Sequence, residues 1–131
     1  MLTKKEGLIL YWCEGDKYTS KGRYKVAVTS ADPQLLQLFV KWLERYYNTP
    51  IEEMKARVQI WDQSKEMLAI EWWSKQIGIP VRNFIKSNIK QVGGRKKKHK
   101  FGICRVYIDS KDVLFRILDD IQKEFGASIL F

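Results

Sequence analysis

An apolar helical run that ends on an acid and a glycine constrains this chain more than any other stretch of its sequence. The run is Gly7-Leu-Ile-Leu-Tyr-Trp-Cys-Glu-Gly15, and Asp16 and Lys17 follow it directly. A carboxylate at the C-terminal end of a helix is electrostatically unfavourable, because the helix macrodipole already places negative charge there. We therefore expect a cation or a special environment beside Glu14.

Periodic patterns along the rest of the chain predict an α+β fold in which helices are segregated from a largely antiparallel sheet. Helices are expected at about residues 3–14, 32–47, 62–78 and 110–126, with Asp32-Pro33 and Ser110 as start signals. Strands are expected at about residues 23–29, 56–61, 84–92 and 104–109. No linker or internal repeat interrupts these elements, so residues 1–131 are predicted to form a single domain.

The predicted strands share one chemical plan, with aliphatic side chains on one face and basic or amide side chains on the other. A two-stranded β-ribbon fits the major groove of DNA, where Arg, Lys, Asn and Gln read base edges. The candidate DNA-binding residues are Lys17, Arg23, Lys25, Arg57, Lys86, Asn88 and Arg105, together with Arg95, Lys96, Lys97, Lys98 and Lys100 of a glycine-rich basic loop. A basic loop of this kind is also typical of a solvated hairpin tip; the charge excess favours phosphate contact.

The charge balance favours a polyanionic partner. The chain has 24 Lys and Arg against 15 Asp and Glu, a formal charge of +9, which favours nucleic acid. A membrane is a weaker alternative, because no apolar run approaches the roughly 20 residues that span a bilayer.

The start of the chain has no signal pattern, and Cys13 and Cys104 lie in apolar contexts. We therefore expect a cytoplasmic protein whose two cysteines are reduced core residues. The single histidine, His99, argues against Ser-His-Asp triads and zinc fingers.

Two segments together resemble a compact prokaryotic branch of the LAGLIDADG homing endonucleases. They are Leu10-Tyr-Trp-Cys-Glu-Gly-Asp-Lys17 and Val28-Thr-Ser-Ala-Asp-Pro33. Glu14 and Gly15 take the motif's eighth and ninth positions, and Cys13 keeps the seventh position small. The resemblance implies an α-β-β-α-β-β-α unit whose saddle-shaped antiparallel sheet, covered on one face by helices, sits on DNA. Because the chain carries one motif, it also implies a homodimer through the motif helix. Ile9 departs from the family's usual glycine, and the strand and helix at 56–78 have no simple place in that unit.

The resemblance also implies a chemistry for Glu14. In the family, the acids at the two motif-helix ends bind a divalent metal beside the scissile phosphates. Carried over to this chain, Glu14 is the catalytic and metal-binding acid and Mg²⁺ the expected cofactor. A lysine beside the site would stabilise charge on the phosphate; Lys90 is the candidate taken forward, with Lys86 as an alternative. Glu14 is also open to interpretation as a solvated helix-end residue or as a structural acid at a dimer axis.

The function expected is double-stranded DNA binding, with DNA cleavage as an open question. The alternative is a non-catalytic, sequence-specific DNA-binding regulator of the same fold. A third possibility is an RNA-associated protein or an assembly module. Glu53-Met54-Lys55 fits the E-x-K fragment of another nuclease class, but the upstream aspartate that class needs has no convincing strand setting.

Overall fold

Helices and strands alternate through most of the chain. The computed structural model describes residues 1–17, 22–90 and 100–126. Within these ranges the helices are α1 (Lys4–Glu14), α2 (Pro33–Tyr47), α3 (Glu66–Ile77) and α4 (Lys111–Phe125). The strands are β1 (Lys25–Ser30), β2 (Lys55–Ile60), β3 (Asn88–Ile89) and β4 (Ile103–Asp109). The predicted α+β class is confirmed, and each of the four predicted helices is present.

The helix boundaries follow from local hydrogen-bonding chemistry. Thr3 caps α1 in a reciprocal capping box with Glu6. The Asp32 and Ser110 side chains accept backbone N–H bonds at the starts of α2 and α4, as predicted. Helix α3 begins after a short 3₁₀ turn, Gln63–Lys65, whose cap is Asp62.

The sheet is mixed, with the strand order β1-β4-β2-β3. Strand β4 pairs antiparallel with both β1 and β2, whereas β3 pairs parallel to β2. The expectation of an antiparallel sheet is therefore right for three strands and wrong for β3. The reason is the connection: α3 lies between β2 and β3 in the chain, and a helical crossover returns the chain in the same direction.

Strand β3 is shorter than the strand predicted at 84–92. Its regular pairing covers Asn88–Ile89, but isolated backbone bonds extend the contact with β2 in both directions. The Ile85 N–H donates to the Ala56 carbonyl at 2.9 Å, and the Lys90 N–H donates to the Ile60 carbonyl at 2.8 Å. Residues 91 and 92 of the prediction lie outside the described residues.

All four helices contribute to one core against the inner face of the sheet. Strand residues at alternate positions point into it, as their period of two predicted. The stripe predicted for α4 is buried along its whole length: Val113, Leu114, Ile117, Leu118 and Ile121. Cys104 is buried and free, as expected, but Cys13 is exposed on α1, so its assignment to the core was wrong. Within the described ranges, no helix is both long enough and apolar enough to cross a membrane.

Helix α1 approaches α2 closely at Gly7. A Cβ atom at this position would lie 2.0 Å from Nε1 of the buried Trp42. The same indole N–H donates to the Lys4 carbonyl at 3.2 Å. Leu8 and Tyr11 also face the core. Ion pairs from Lys4 and Lys5 to acids of α4 flank the other side of the helix.

Candidate nucleic-acid interface

The outer face of the sheet carries the polar residues that the strand patterns predicted. Cross-strand register places Arg57 of β2 opposite Arg105 of β4, and Arg105 opposite Thr29 of β1. The neighbouring row joins Lys55, Tyr107 and Ala27 in the same way. Because side chains alternate across a strand, these rows share one face, opposite the apolar core. Strand order and register thus turn separate polar residues into a continuous surface.

Two acids on this surface are neutralised by cations of the same surface. Asp16 accepts from Arg105 at 2.7 Å, across β1. Asp109 lies 2.7 Å from the Lys25 ammonium and 3.9 Å from that of Lys55. Their pairing leaves the surface with an excess of positive charge.

The small side chain of Ala27 and the ring of Tyr107 complete this face. Both are buried: Ala27 lies on the strand that separates Asp16 from Arg105, and the Lys25 ammonium lies 4.2 Å from the centroid of the Tyr107 ring. Between the charged groups, the outer face of the sheet is therefore filled by buried side chains.

On the half of the surface formed by β2 and β3, the cations other than Lys55 have no acidic partner among the described residues. Arg57 donates from Nε to the Lys86 carbonyl at 2.9 Å, which orients its guanidinium. Lys86 and Lys90 are exposed. Asn88 is also exposed and donates to the Gln59 side chain at 3.4 Å. These groups are available to an anionic or hydrogen-bonding ligand.

Glu14 is the last residue of α1 and is exposed. Its carboxylate has no hydrogen bond or ion pair with any residue in the described ranges. The next residue, Gly15, forms a bridge with Val28 of β1. This places Glu14 beside the β1 edge of the sheet.

The structure does not bring Lys90 beside Glu14 within one chain. Lys90 follows β3, at the other end of the strand order. Neighbouring strands lie about 4.8 Å apart, so β1 and β3 are separated by about 14 Å. Among the described residues, the cations at that end of the sheet include Lys17, whose amine donates to the Trp12 and Gly15 carbonyls, and Arg105, which reaches Asp16.

The described residues contain no cluster of three or more His, Cys, Asp or Glu side chains that would hold a metal ion. Mg²⁺ is commonly bound by one or two carboxylates together with water and substrate phosphate. The exposed carboxylate of Glu14 is a group of the type that would supply one such ligand.

The basic loop predicted to contact phosphate falls mostly outside the described residues, which exclude Arg95, Lys96, Lys97 and Lys98. Lys100 is described and exposed, and its ammonium lies 5.4 Å from the centroid of the Phe101 ring. Phe101 in turn stacks on Trp72 of α3 at 4.5 Å, and its carbonyl accepts from the Trp73 indole at 2.8 Å. The chain entering β4 is thus fixed to α3. Arg23, at the other end of the surface, is exposed.

Helix α1 leaves an apolar face uncovered. Ile9 is 45% exposed and Trp12 38% exposed, and Cys13 is exposed beside them. Trp12 also stacks on Phe125 of α4 at 5.4 Å. Gly7, by contrast, faces α2. The close approach that Gly7 permits is to Trp42 of the same chain.

Sequence reasoning missed two members of the surface, Lys55 and Asp16. Lys55 has the same strand parity as Arg57 and Gln59, so extending the alternation by one step would have found it. Asp16 gave no such signal, because its pairing with Arg105 joins residues 89 positions apart.

Comparisons with protein-family models, with curated proteins and with solved structures find no match to this chain.

Proposed function

We propose that this protein binds double-stranded DNA through the outer face of its sheet, as a homodimer of LAGLIDADG type. The observation that carries the proposal is the division of the sheet into two chemically different faces. One face is apolar and covered by helices. The other presents Arg57, Lys86 and Lys90 with no acidic partner in the described ranges, next to the amide groups of Gln59 and Asn88.

The chemistry of this face suits a duplex. Lysine ammonium groups neutralise phosphates, and arginine and amide side chains also pair with base edges in the major groove. Strands β2 and β4 are the two central strands of the sheet, and their antiparallel register places Arg57 and Arg105 opposite each other on this face. The acids on the face, Asp16 and Asp109, already have cationic partners, so they add little repulsion toward phosphate.

The proposal is tested by the salt dependence of DNA binding. Wild-type affinity for a short duplex should fall steeply with salt, because binding releases counterions. Lys86→Met should weaken binding and reduce the slope of log K against log salt by about 0.9 for each bound protomer, because each protomer loses one phosphate contact. Lys41→Met removes the same charge from the exposed surface of α2 and should leave the slope unchanged. A flat salt response of the wild type, or equal effects of the two variants, would exclude this surface.

A second candidate function is Mg²⁺-dependent DNA cleavage, favoured by the exposed carboxylate of Glu14 at the end of α1. Glu14 would hold the ion, which supplies charge for polarising a phosphate and activating water. Nicking of randomised duplexes in Mg²⁺ should then disappear in Glu14→Gln while DNA binding survives. Tight binding without cleavage in any divalent ion would instead identify a regulator. A preference for single strands or A-form duplex would point to RNA.

A further inference from the structure

The C-terminal end of α1 carries an acid but no basic residue in its last turn. The positive charge that this helix end lacks comes from a side chain outside the helix. Lys17 folds back so that its ammonium donates to the Trp12 carbonyl at 2.7 Å and to the Gly15 carbonyl at 3.0 Å. These carbonyls lie at the negative end of the helix macrodipole, where a cation is favourable.

The segment that follows Glu14 is also fixed to the sheet. Gly15 has an extended backbone, and its N–H donates to the Tyr11 carbonyl at 2.8 Å. The Asp16 N–H donates to the Ala27 carbonyl at 2.9 Å. The Tyr11 hydroxyl donates to the Asp16 carbonyl and accepts from the Ala27 N–H. Hydrogen bonds therefore link the end of α1 to strand β1 through residues on both sides of Glu14.

Gly15 has no room for a side chain at this junction. A Cβ atom there would lie 2.4 Å from the Tyr11 ring, so the turn can approach the ring this closely only with glycine. The tight fit leaves the backbone at Glu14 little freedom. Lys17 then supplies the positive charge that the turn otherwise lacks.

We propose that Lys17 is the C-terminal cap of α1 and a positioning residue for Glu14, in place of the DNA contact that its charge suggests. The part of this inference that concerns Glu14 rests on the proposed function. Two of the three N–H donors of the Lys17 ammonium are used by these carbonyls, which holds the amine at the end of α1 beside Glu14. Lys86 has no such hydrogen bonds in the described ranges, so it is free to act at the DNA surface.

The test uses Lys17→Met and Lys17→Arg in the full chain, with Lys86→Met as the matched control. Amide hydrogen exchange at residues 13–15 should become roughly fivefold faster in Lys17→Met, because the last turn of α1 loses its cap. Exchange in α4 should not change, which separates a local effect from global destabilisation. Lys17→Arg retains a cation with several donors and should stay within about twofold of the wild type.

DNA binding provides the second measurement. Lys17→Met should keep the wild-type affinity and salt slope, whereas Lys86→Met should lose about 0.9 from the slope for each bound protomer. If the protein cleaves DNA, Lys17→Met should lower kcat without raising KM, and Lys17→Arg should restore it. Unchanged exchange in Lys17→Met, or a loss of slope equal to that of Lys86→Met, would overturn the inference. Should the wild type fail to bind DNA, the proposed function fails, but the exchange measurement still decides whether Lys17 is the cap.

Discussion

The hydroxyl of Tyr11 joins helix α1 to the sheet, and its burial has a consequence at alkaline pH. Burial raises the pKa of Tyr11 well above its ordinary value near 10. Because this pKa is higher in the folded than in the unfolded state, the contribution of the protonated Tyr11 hydroxyl to folding stability is fully present below pH 10. That contribution is lost as the pH rises further. We expect the free energy of unfolding to fall above pH 10 by about 1.4 kcal/mol per pH unit for each such tyrosine. Denaturant titrations between pH 7 and pH 11 would measure this.

Tyr11→Phe isolates the contribution of this hydroxyl. The variant should be less stable at pH 7 by about 1–2 kcal/mol, because the Ala27 N–H and the Asp16 carbonyl lose a partner. Its stability should also fall less steeply above pH 10. Part of the alkaline loss should remain, because burial also raises the pKa of Tyr47 and raises that of Cys104 to about 12. An alkaline profile identical to that of the wild type would contradict the role assigned to Tyr11.

At the scale of elements, the contact between α1 and α2 depends on the missing side chain of Gly7. A Cβ atom would lie 2.0 Å from the indole of Trp42, which is fully buried and donates to the Lys4 carbonyl. We expect Gly7→Ala to destabilise the fold by about 3 kcal/mol, although alanine has the higher helix propensity. Lys5→Ala, in the same helix, removes an exposed ion pair and should cost less than about 1 kcal/mol. Chemical denaturation compares the two; equal stability of Gly7→Ala and wild type would disprove the close packing.

The elements themselves were largely predictable because their signals are local. A capping residue with a helical stripe, as in Ser110 and α4, contains its own start and period. Helix α3 was less clear, because apolar residues run around most of its circumference. Ala69 and Ile70 are buried, whereas Met67 and Leu68 are more than half exposed. Where a helix is apolar on several sides, periodicity no longer identifies the face that packs.

The candidate site was less predictable, because it depends on the order of strands in space. Alternation assigned Arg57, Lys86 and Arg105 to the outer face, and the structure places them there. Nothing local to this part of the sequence revealed that Asn88–Ile89 pairs parallel to β2 at the edge of the sheet. Lys90 was therefore matched with Glu14 although the two lie at opposite edges. Long-range pairing decides such distances, and a single sequence does not display it.

At the scale of the whole molecule, charge is separated between the two sides of the sheet. The ion pairs of α4 use acids that lie on the helical side: Asp112, Asp119, Asp120 and Glu124. The outer face has Asp16 and Asp109, both already paired. A molecule with this distribution presents a positive surface in one direction. The exposed Ile9 and Trp12 lie on α1, the helix through which the proposed homodimer would form.

The proposed homodimer predicts a specific response at Ile9. Ile9 and Cys13 are four residues apart, so they lie on the same side of α1. If two copies of this helix meet, Ile9→Lys places like charges across the interface and should convert the dimer to a monomer in sedimentation experiments. The fold should survive, because the wild-type side chain is already 45% exposed. Ile9→Leu keeps the apolar surface and should remain dimeric.

The proposed homodimer also predicts how Cys13 responds to oxidation. Two exposed Cys13 thiols near a two-fold axis should form a disulfide-linked dimer under mild oxidation, and Cys13→Ser should abolish it; the buried Cys104 should not react.

A monomer engages one half of a palindromic site, so Ile9→Lys should lose far more affinity for a full palindrome than for an isolated half-site. That difference separates a lost interface from a damaged surface, since damage to the DNA-binding face would weaken both duplexes alike. A wild-type chain that stays monomeric at micromolar concentration and binds both duplexes equally would refute the homodimer and leave single-copy DNA binding in place.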